Sequence, residues 1–485
     1  MAEATNPTQV EPSENNISEN EEPNEVACNP SVDVTELEGD DLEKMKGDAI
    51  GDTLYSERFV LNTLLKLTKL DKDLSENEEF EKDLCNLWDM TIEADVVKLL
   101  LQHNVLEVFS SIILTTDDRR LTEILVGMAA NMCNVSDTRQ QLCNNAEILG
   151  PIIDLISCSD TLTLIQLMRL LHASLVFENS GDEIVWFQHF KNAEDFVEHF
   201  AFILKNSINK SLLIHALEAL NSICAKFAVI EIQPDVRDLR FCDVFVKPNL
   251  VSGVIEAFKT LIPKENGTEN RKNENNEVLP PSQNTKKIMS LFLDLNVILS
   301  QYDEVSRECY NSSISDLIIC VSQILAPLCS AINLLPLTYN EQGIIENLNE
   351  IFLAVGDPFD ENIFIQMTSI WDLIELDQSN KHSNDDEWGG DNDSEEEINA
   401  EDMCMTILEF LTRTVKNATD TQTQKAIKLQ KSETIQKLLD ALSNGQSEDD
   451  IKECFEKIKM SFELIKEEQL QVCNGNIDKK IEEKR

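Results

Sequence analysis

One pattern of apolar residues recurs along this chain at a spacing that only a stacked helical array explains easily. Leu121, Ile124, Leu125, Met128 and Met132 stand at offsets of zero, three, four, seven and eleven, which puts all five on one face of an α-helix. Leu164, Leu167, Met168, Leu171 and Leu175 repeat those offsets, and so do Leu213, Ala216, Leu217, Leu220 and Cys224. Farther on, Ile288, Leu291, Phe292, Leu295 and Leu299 match, as do Cys404, Ile407, Leu408, Leu411 and Val415. Any one match is only an amphipathic helix. The first three series start 43 and then 49 residues apart, close to the roughly 40–47 of armadillo and HEAT units.

The interior of one unit fits that reading. Thr91 can cap a helix through DVVKLLLQ, with Glu93 and Asp95 in its first turn, and Asn104 can take the left-handed conformation that ends it. A second short helix, VLEVFSSIIL, follows, and Thr116 or Asp117 can cap the long third. In the next unit Gly150-Pro151 places a proline at a first helical position before IIDLIS, and a long helix runs through LTLIQLMRLLHASLVF. Short, short, long is the armadillo order. The expected fold is therefore all-α, an armadillo/HEAT-like helical-repeat solenoid, with an ordinary all-α bundle as the alternative. After residue 228 the repeats degenerate: Pro234, Pro248 and the β-like RFCDVFV interrupt them.

Composition divides the rest. Residues 1–50 are rich in Glu, Asn, Pro and Ser and read as disordered and acidic, because they cannot bury enough surface to offset ordering entropy. Armadillo-like repeats are expected over 51–263, a polar insertion loop over 264–286, further helical repeats over 287–376 and an acidic disordered linker over 377–402. C-terminal helices fill 403–472, and a charged tail closes the chain at 473–485. Within 447–472, Ile451, Phe455, Ile458, Phe462 and Ile465 share one side, suiting a cap over the end of a solenoid.

Charge and cysteine usage narrow the function. With 89 acidic against 41 basic side chains the formal charge is −48, a field that repels nucleic-acid phosphate and anionic lipid. A protein partner, of basic character by this criterion, is expected instead, with no direct nucleic-acid or membrane binding. No apolar run approaches the roughly 18 residues of a membrane span, and the polar start lacks a signal-peptide core. Cytosol or nucleus is the expected location. The 13 cysteines are odd in number and scattered, several inside apolar helical runs, as reduced core thiols would be.

A family resemblance rests on specific segments. GDAIGDTLYS at 47–56, CNLWDMTIEADVVKLLLQHN at 85–104 and LTEILVGMAANM at 121–132 resemble the serum amyloid A-like protein family, with Trp88-Asp89-Met90 the most specific part. A weaker likeness at DVFVKPNLVSGVIEAFKTL extends the resemblance to about residue 260. It implies an armadillo-like, non-enzymatic, nuclear protein linked in vertebrates to promotion of cell proliferation. It implies no catalytic residues.

Nothing in the chain reads as a reaction centre. GxSxG, GxGxxG, Walker A, HExxH and CxxC are all missing, and the six histidines are dispersed. His189 and His199 lack a nearby cysteine pair for zinc, and Cys224 with His215 or His172 lacks an orienting partner and an oxyanion site. No catalytic, cofactor-binding or metal-binding residue is expected. Trp88 is read as a core anchor, with an exposed partner hot spot as the alternative, and Asp89 as a cap or a charge near a helix N-terminus. Ser394, ahead of Glu395-Glu396-Glu397, suits an acid-directed kinase.

The candidate binding surface is the polar side of the long helices. At about 100° per residue, offsets two, five and nine point away from the apolar face. They select Glu123, Gln166, Arg169, His215, Glu218 and Ser222 as an outward polar strip for a protein segment. A nuclear-transport or chaperone adaptor of armadillo type is the runner-up, and it would need tryptophan and asparagine arrays on these helices. An enzyme with an unrecognised site is the third reading. With neither metal nor disulfide invoked, helical circular dichroism should survive a chelator and a reductant unchanged. Loss of ellipticity with either reagent would contradict this.

Overall fold

A computed structural model of the chain describes residues 48–70, 73–176, 183–228, 240–262, 280–384, 399–444 and 449–482. Most of the expected N-terminal segment, the centres of the 264–286 and 377–402 stretches, and Ser394 lie outside them. Among the described residues every extended element is helical, and the one β-type pairing is an isolated bridge between Ala49 and Ser56.

The chain begins with α1 (Glu57–Leu67), α2 (Glu78–Met90), α3 (Ala94–Gln102), α4 (Val105–Ile113) and α5 (Arg119–Met132). It continues with α6 (Ser136–Asn144), α7 (Ala146–Asp154) and α8 (Thr161–Leu175), then α9 (Glu183–Asn192), α10 (Phe196–Asn206) and α11 (Lys210–Ala228). The short α12 (Phe241–Phe245) precedes α13 (Pro248–Leu261) and α14 (Gln283–Ser300), and α15 (Asp303–Asn311), α16 (Ile314–Leu325), α17 (Ala331–Leu334) and α18 (Tyr339–Val355) follow. The last helices are α19 (Glu361–Asn384), α20 (Ala400–Asn417), α21 (Asp420–Leu429), α22 (Ser432–Asn444) and α23 (Asp449–Glu482).

Contacts between helices arrange them in two rows. One row stacks α2, α5, α8, α11, α14, α18, α20 and α23 in succession; the other stacks α4 on α7, and α10, α13, α16 and α19 on one another, with the 3-10 turn Leu155–Ser157 after α7 packing on α10. This is a helical-repeat solenoid. All five apolar series found in the sequence fall in the first row, called the inner row below, on α5, α8, α11, α14 and α20. Three of these helices start alike. Asp118, Asp160 and Asn209 each stand just before the helix and accept a backbone N–H, from Leu121 (3.1 Å), Thr163 (2.8 Å) and Leu212 (2.9 Å).

Local expectations fare unevenly. Asn104 is left-handed (φ 52°) between α3 and α4 as expected. The cap of α5 is Asp118, not Thr116 or Asp117, and Thr91 ends α2 with its hydroxyl on the Trp88 carbonyl instead of starting α3. Pro151 is not at a first helical position but is the sixth of nine residues in α7, where it cannot donate to the Glu147 carbonyl, which accepts from Ser110 Oγ at 3.0 Å instead. Phe241 and Phe245 of the β-like RFCDVFV form one helical turn, because rings four residues apart stack at 5.2 Å inside a cluster with Phe187 and Phe227. Helix α19 runs on to Asn384 within the expected linker, α14 starts at Gln283 within the expected loop, and α23 continues through the expected tail to Glu482.

The core is aliphatic and continuous. Cys133, Cys224 and Cys320 are fully buried in it, and no disulfide joins the described cysteines. Along α23, Ile458, Phe462 and Ile465 are buried, so the helix covers the last apolar face of the inner row on α20. At the other end Gly51 (φ 54°) turns the chain so that the Asp52 N–H reaches the Asp95 carboxylate at 3.4 Å.

Trp88 belongs to the last turn of α2, with its indole half-buried across α5 at Gly127, so it is an anchor between helices. Asp89 beside it is exposed near the C-terminal end of α2, not at a helix start. A Cβ on Gly127 would stand 2.1 Å from Trp88 Cζ2 and 2.4 Å from Cε2, a fused ring that cannot bend away. Gly127→Ala should therefore destabilise the fold by about 2 kcal/mol despite alanine's better helix propensity. Adding Trp88→Phe, which removes the clashing atoms, should recover part of that loss in urea unfolding. A Gly127→Ala protein as stable as wild type would show that the two helices do not pack this closely.

Candidate functional site

Inner-row helices are flanked on both sides, and this changes what their polar residues do. Every residue of α5 from Leu121 to Ala130 is buried. Buried polar groups need partners, and here the partners lie across the helix interfaces.

The result is a polar ladder along the inner row. Arg120 of α5 reaches Glu81 of α2 (2.8 Å) and Glu123 (2.8 Å). Asn131 Nδ2 donates to the Trp88 carbonyl (3.3 Å) and Thr91 Oγ1 (3.2 Å), while its Oδ1 accepts from Arg169 Nη2 on α8 (3.1 Å). His172 of α8 shares a 2.7 Å hydrogen bond with Ser222 of α11. Glu218 of α11 pairs with His215 (2.8 Å) and with Lys287 of α14. Asp294 of α14 accepts from Asn347 of α18 (3.2 Å), Arg413 of α20 donates to Asn349 of α18 (2.8 Å), and Lys416 meets Asp450 of α23 (2.7 Å). Each neighbouring pair in the row is thus tied by at least one side-chain bond.

Of the six residues of the expected outward strip, Arg169, His215 and Glu218 line an open cleft of about 210 Å³. The cleft is completed by Ala130, Asn131, Asn134, His172 and Ala173. Glu123, Gln166 and Ser222 do not point outward: they are buried, at 6%, 8% and 9% exposure, because adjacent helices close over the side opposite the core. They act as props, since Glu123 holds Arg120, Gln166 holds Arg169 and Ser222 holds His172. Asn131, Asn134 and His172 were not in the strip. Asn131 and His172 are offsets ten and eight of their series, about 80° to either side of the apolar face, where neighbouring helices meet.

A second cleft, of about 220 Å³, opens between α14 and the start of α18 beside Pro280 and Pro281. Among the described residues no three His, Cys, Asp or Glu side chains are grouped to hold a metal ion. His189 bonds the Cys143 carbonyl at 2.8 Å; His172 and His215, the histidines considered with Cys224, bond Ser222 and Glu218, and burial pushes the Cys224 thiol far up. No single described helix is long and apolar enough to cross a membrane.

No family model matches the sequence. The chain is similar to Protein saal1 of Danio rerio, 29% identical over 208 residues, which are 41% of this chain and 44% of that protein. It is similar to Protein SAAL1 of Homo sapiens at 26% over 192 residues, 36% of this chain and 40% of the relative. The match spans less than half the length of these relatives. Among solved structures, a crystal structure of an engineered protein overlaps 60% of this chain and 96% of its own at 14% identity, with a TM-score of 0.38. A superposition that loose does not separate one helical-repeat class from another.

Burial alone would raise the Glu218 carboxyl, but hydrogen bonds from His215 and Lys287 outweigh it and hold the pKa at about 2, below the ordinary 4.5. A carboxyl depressed by folding stabilises the fold above its unfolded pKa and stops doing so as the pH falls through the folded one. Lys287→Met should therefore cost about 1 kcal/mol at pH 7, modest because Lys287 is half exposed. The gap from wild type in urea unfolding should narrow only as the pH falls through the folded-state pKa, toward about 2. A gap that stays constant through about pH 2 would remove Glu218 as its source.

Proposed function

We propose that the chain is a non-enzymatic interaction scaffold whose inner row presents a groove to a segment of a protein partner. The observation that carries this reading is the cleft at Arg169. It lies where α5, α8 and α11 stack, and its polar walls are held in fixed positions by the ladder. Preorganised side chains lose little freedom on binding, which favours recognition by such a wall over recognition by long unpaired side chains. The likeness to Protein saal1 is compatible with a scaffold. A nuclear setting and a link to cell proliferation belong to the same reading, through the family resemblance.

The test is affinity capture of crosslinked partners by the full chain, quantified by mass spectrometry. Arg169→Glu and Glu218→Gln should each lower capture of the main partner about tenfold or more with helical ellipticity unchanged. Lys205→Glu, on the exposed surface of α10, should not. If crosslinks map to 1–50 or 377–402 and both groove variants capture normally, the acidic segments are the interaction site and the groove is not.

A further inference from the structure

The cleft holds an arginine that meets no acid among the described residues. Inner-row cations generally face acids: Arg120 meets Glu81 and Glu123, Lys287 meets Glu218, Arg413 meets Asp357, and Lys416 meets Asp450. Arg169 is different. Its guanidinium is half-buried, yet it donates to neutral amide oxygens, Gln166 Oε1 at 2.6 Å and Asn131 Oδ1 at 3.1 Å. It takes part in no ion pair with a described carboxylate, in a chain with 89 acidic side chains.

Those two bonds use two of the five N–H donors of a guanidinium. His172 and His215 line the same cleft, each with Nδ1 engaged, by Ser222 and by Glu218. Among the described residues lining the cleft Glu218 is the one carboxylate, and His215 and Lys287 already hold it. Removing a cation from water among neutral partners is costly unless an anion completes the site, and the arginine fork matches carboxylate and phosphate oxygens two at a time. Distant acidic residues matter less here than their number suggests, since charges are screened within about 8 Å at physiological salt.

We infer that this cleft seats an anionic group, a carboxylate or a phosphate monoester, carried by an extended segment of the protein partner and gripped by Arg169. The inference rests on the groove reading and narrows it. It also reverses the partner character that bulk charge suggests, an acidic or phosphorylated segment in place of a basic one.

The test uses the full chain and an array of random twelve-residue peptides, each in four versions with Glu, phosphoserine, Ser or Lys at one central position. Affinities of the hits are then measured by fluorescence anisotropy, and groove dependence is read from Asn134→Trp, which crowds the mouth of the cleft. Groove-dependent peptides should bind about tenfold tighter with Glu or phosphoserine than with Ser, and weakest with Lys. Comparing the Glu and phosphoserine versions identifies which anion the site takes. Arg169→Gln should abolish the preference, and Arg169→Lys, which keeps the charge without the fork, should keep part of it. Groove-dependent peptides that prefer Ser or Lys, or an anionic preference untouched by both arginine variants, would overturn the anion seat and leave the groove standing. If no peptide is sensitive to Asn134→Trp, the groove reading falls together with the inference.

Discussion

The structure depends on inner-row helices being buried on three sides. An isolated amphipathic helix turns its polar side to water, and its polar residues then need no particular neighbour. Between α2 and α8, helix α5 has no such freedom, and even Thr122 and Glu123 are closed in. Stacking secures the apolar contacts, and it also drives enclosed polar groups to find partners, on the next helix as Asn131 does or on their own as Glu123 and Gln166 do. Leaving one unpaired would cost on the order of 1–3 kcal/mol. The ladder from Arg120 to Asp450 is the consequence, and it fixes how each repeat sits on the next.

That coupling explains which features were legible in the sequence. Long helices of the inner row were readable because one face of each must be apolar at a strict helical offset, whatever surrounds it. Helices α2 and α18 were missed as members of the row. In α2, Phe80, Leu84, Leu87 and Met90 keep the period but are interleaved with seven charged or amide side chains, and α18 follows irregular segments. RFCDVFV misled because alternating aromatic and polar residues suit a strand equally well, and only the aromatic cluster around Phe187 and Phe227 decides for a helix. The binding strip was half legible. Offsets locate the pole opposite the core, where Arg169, His215 and Glu218 do reach the cleft. They do not show that adjacent helices close over Glu123, Gln166 and Ser222, which depends on how far each repeat rotates against the next. The flank positions of Asn131 and His172 carry the interhelical bonds, and single-helix periodicity contains no information about them.

Bulk charge and local geometry point to different partners. A formal charge of −48 describes the field far from the surface, whereas recognition happens over a few ångströms among groups whose own partners are fixed. Along the inner row Arg120, Lys287, Arg413 and Lys416 each meet an acid, whereas the half-buried Arg169 bonds two neutral amide oxygens. The same pairing braces the groove, because moving Asn131, Arg169, His172 or Glu218 breaks a bond to a neighbouring helix.

The central claim is that the inner row, at the junction of α5, α8 and α11, is the working surface. It is tested most directly by placing a photo-crosslinking amino acid at Asn134, exposed at the mouth of the cleft, and separately at Phe202, exposed on α10 of the other row. After irradiation in cells, partner peptides should be crosslinked at Asn134 and absent at Phe202. Partners recovered at Phe202 and not at Asn134 would contradict it.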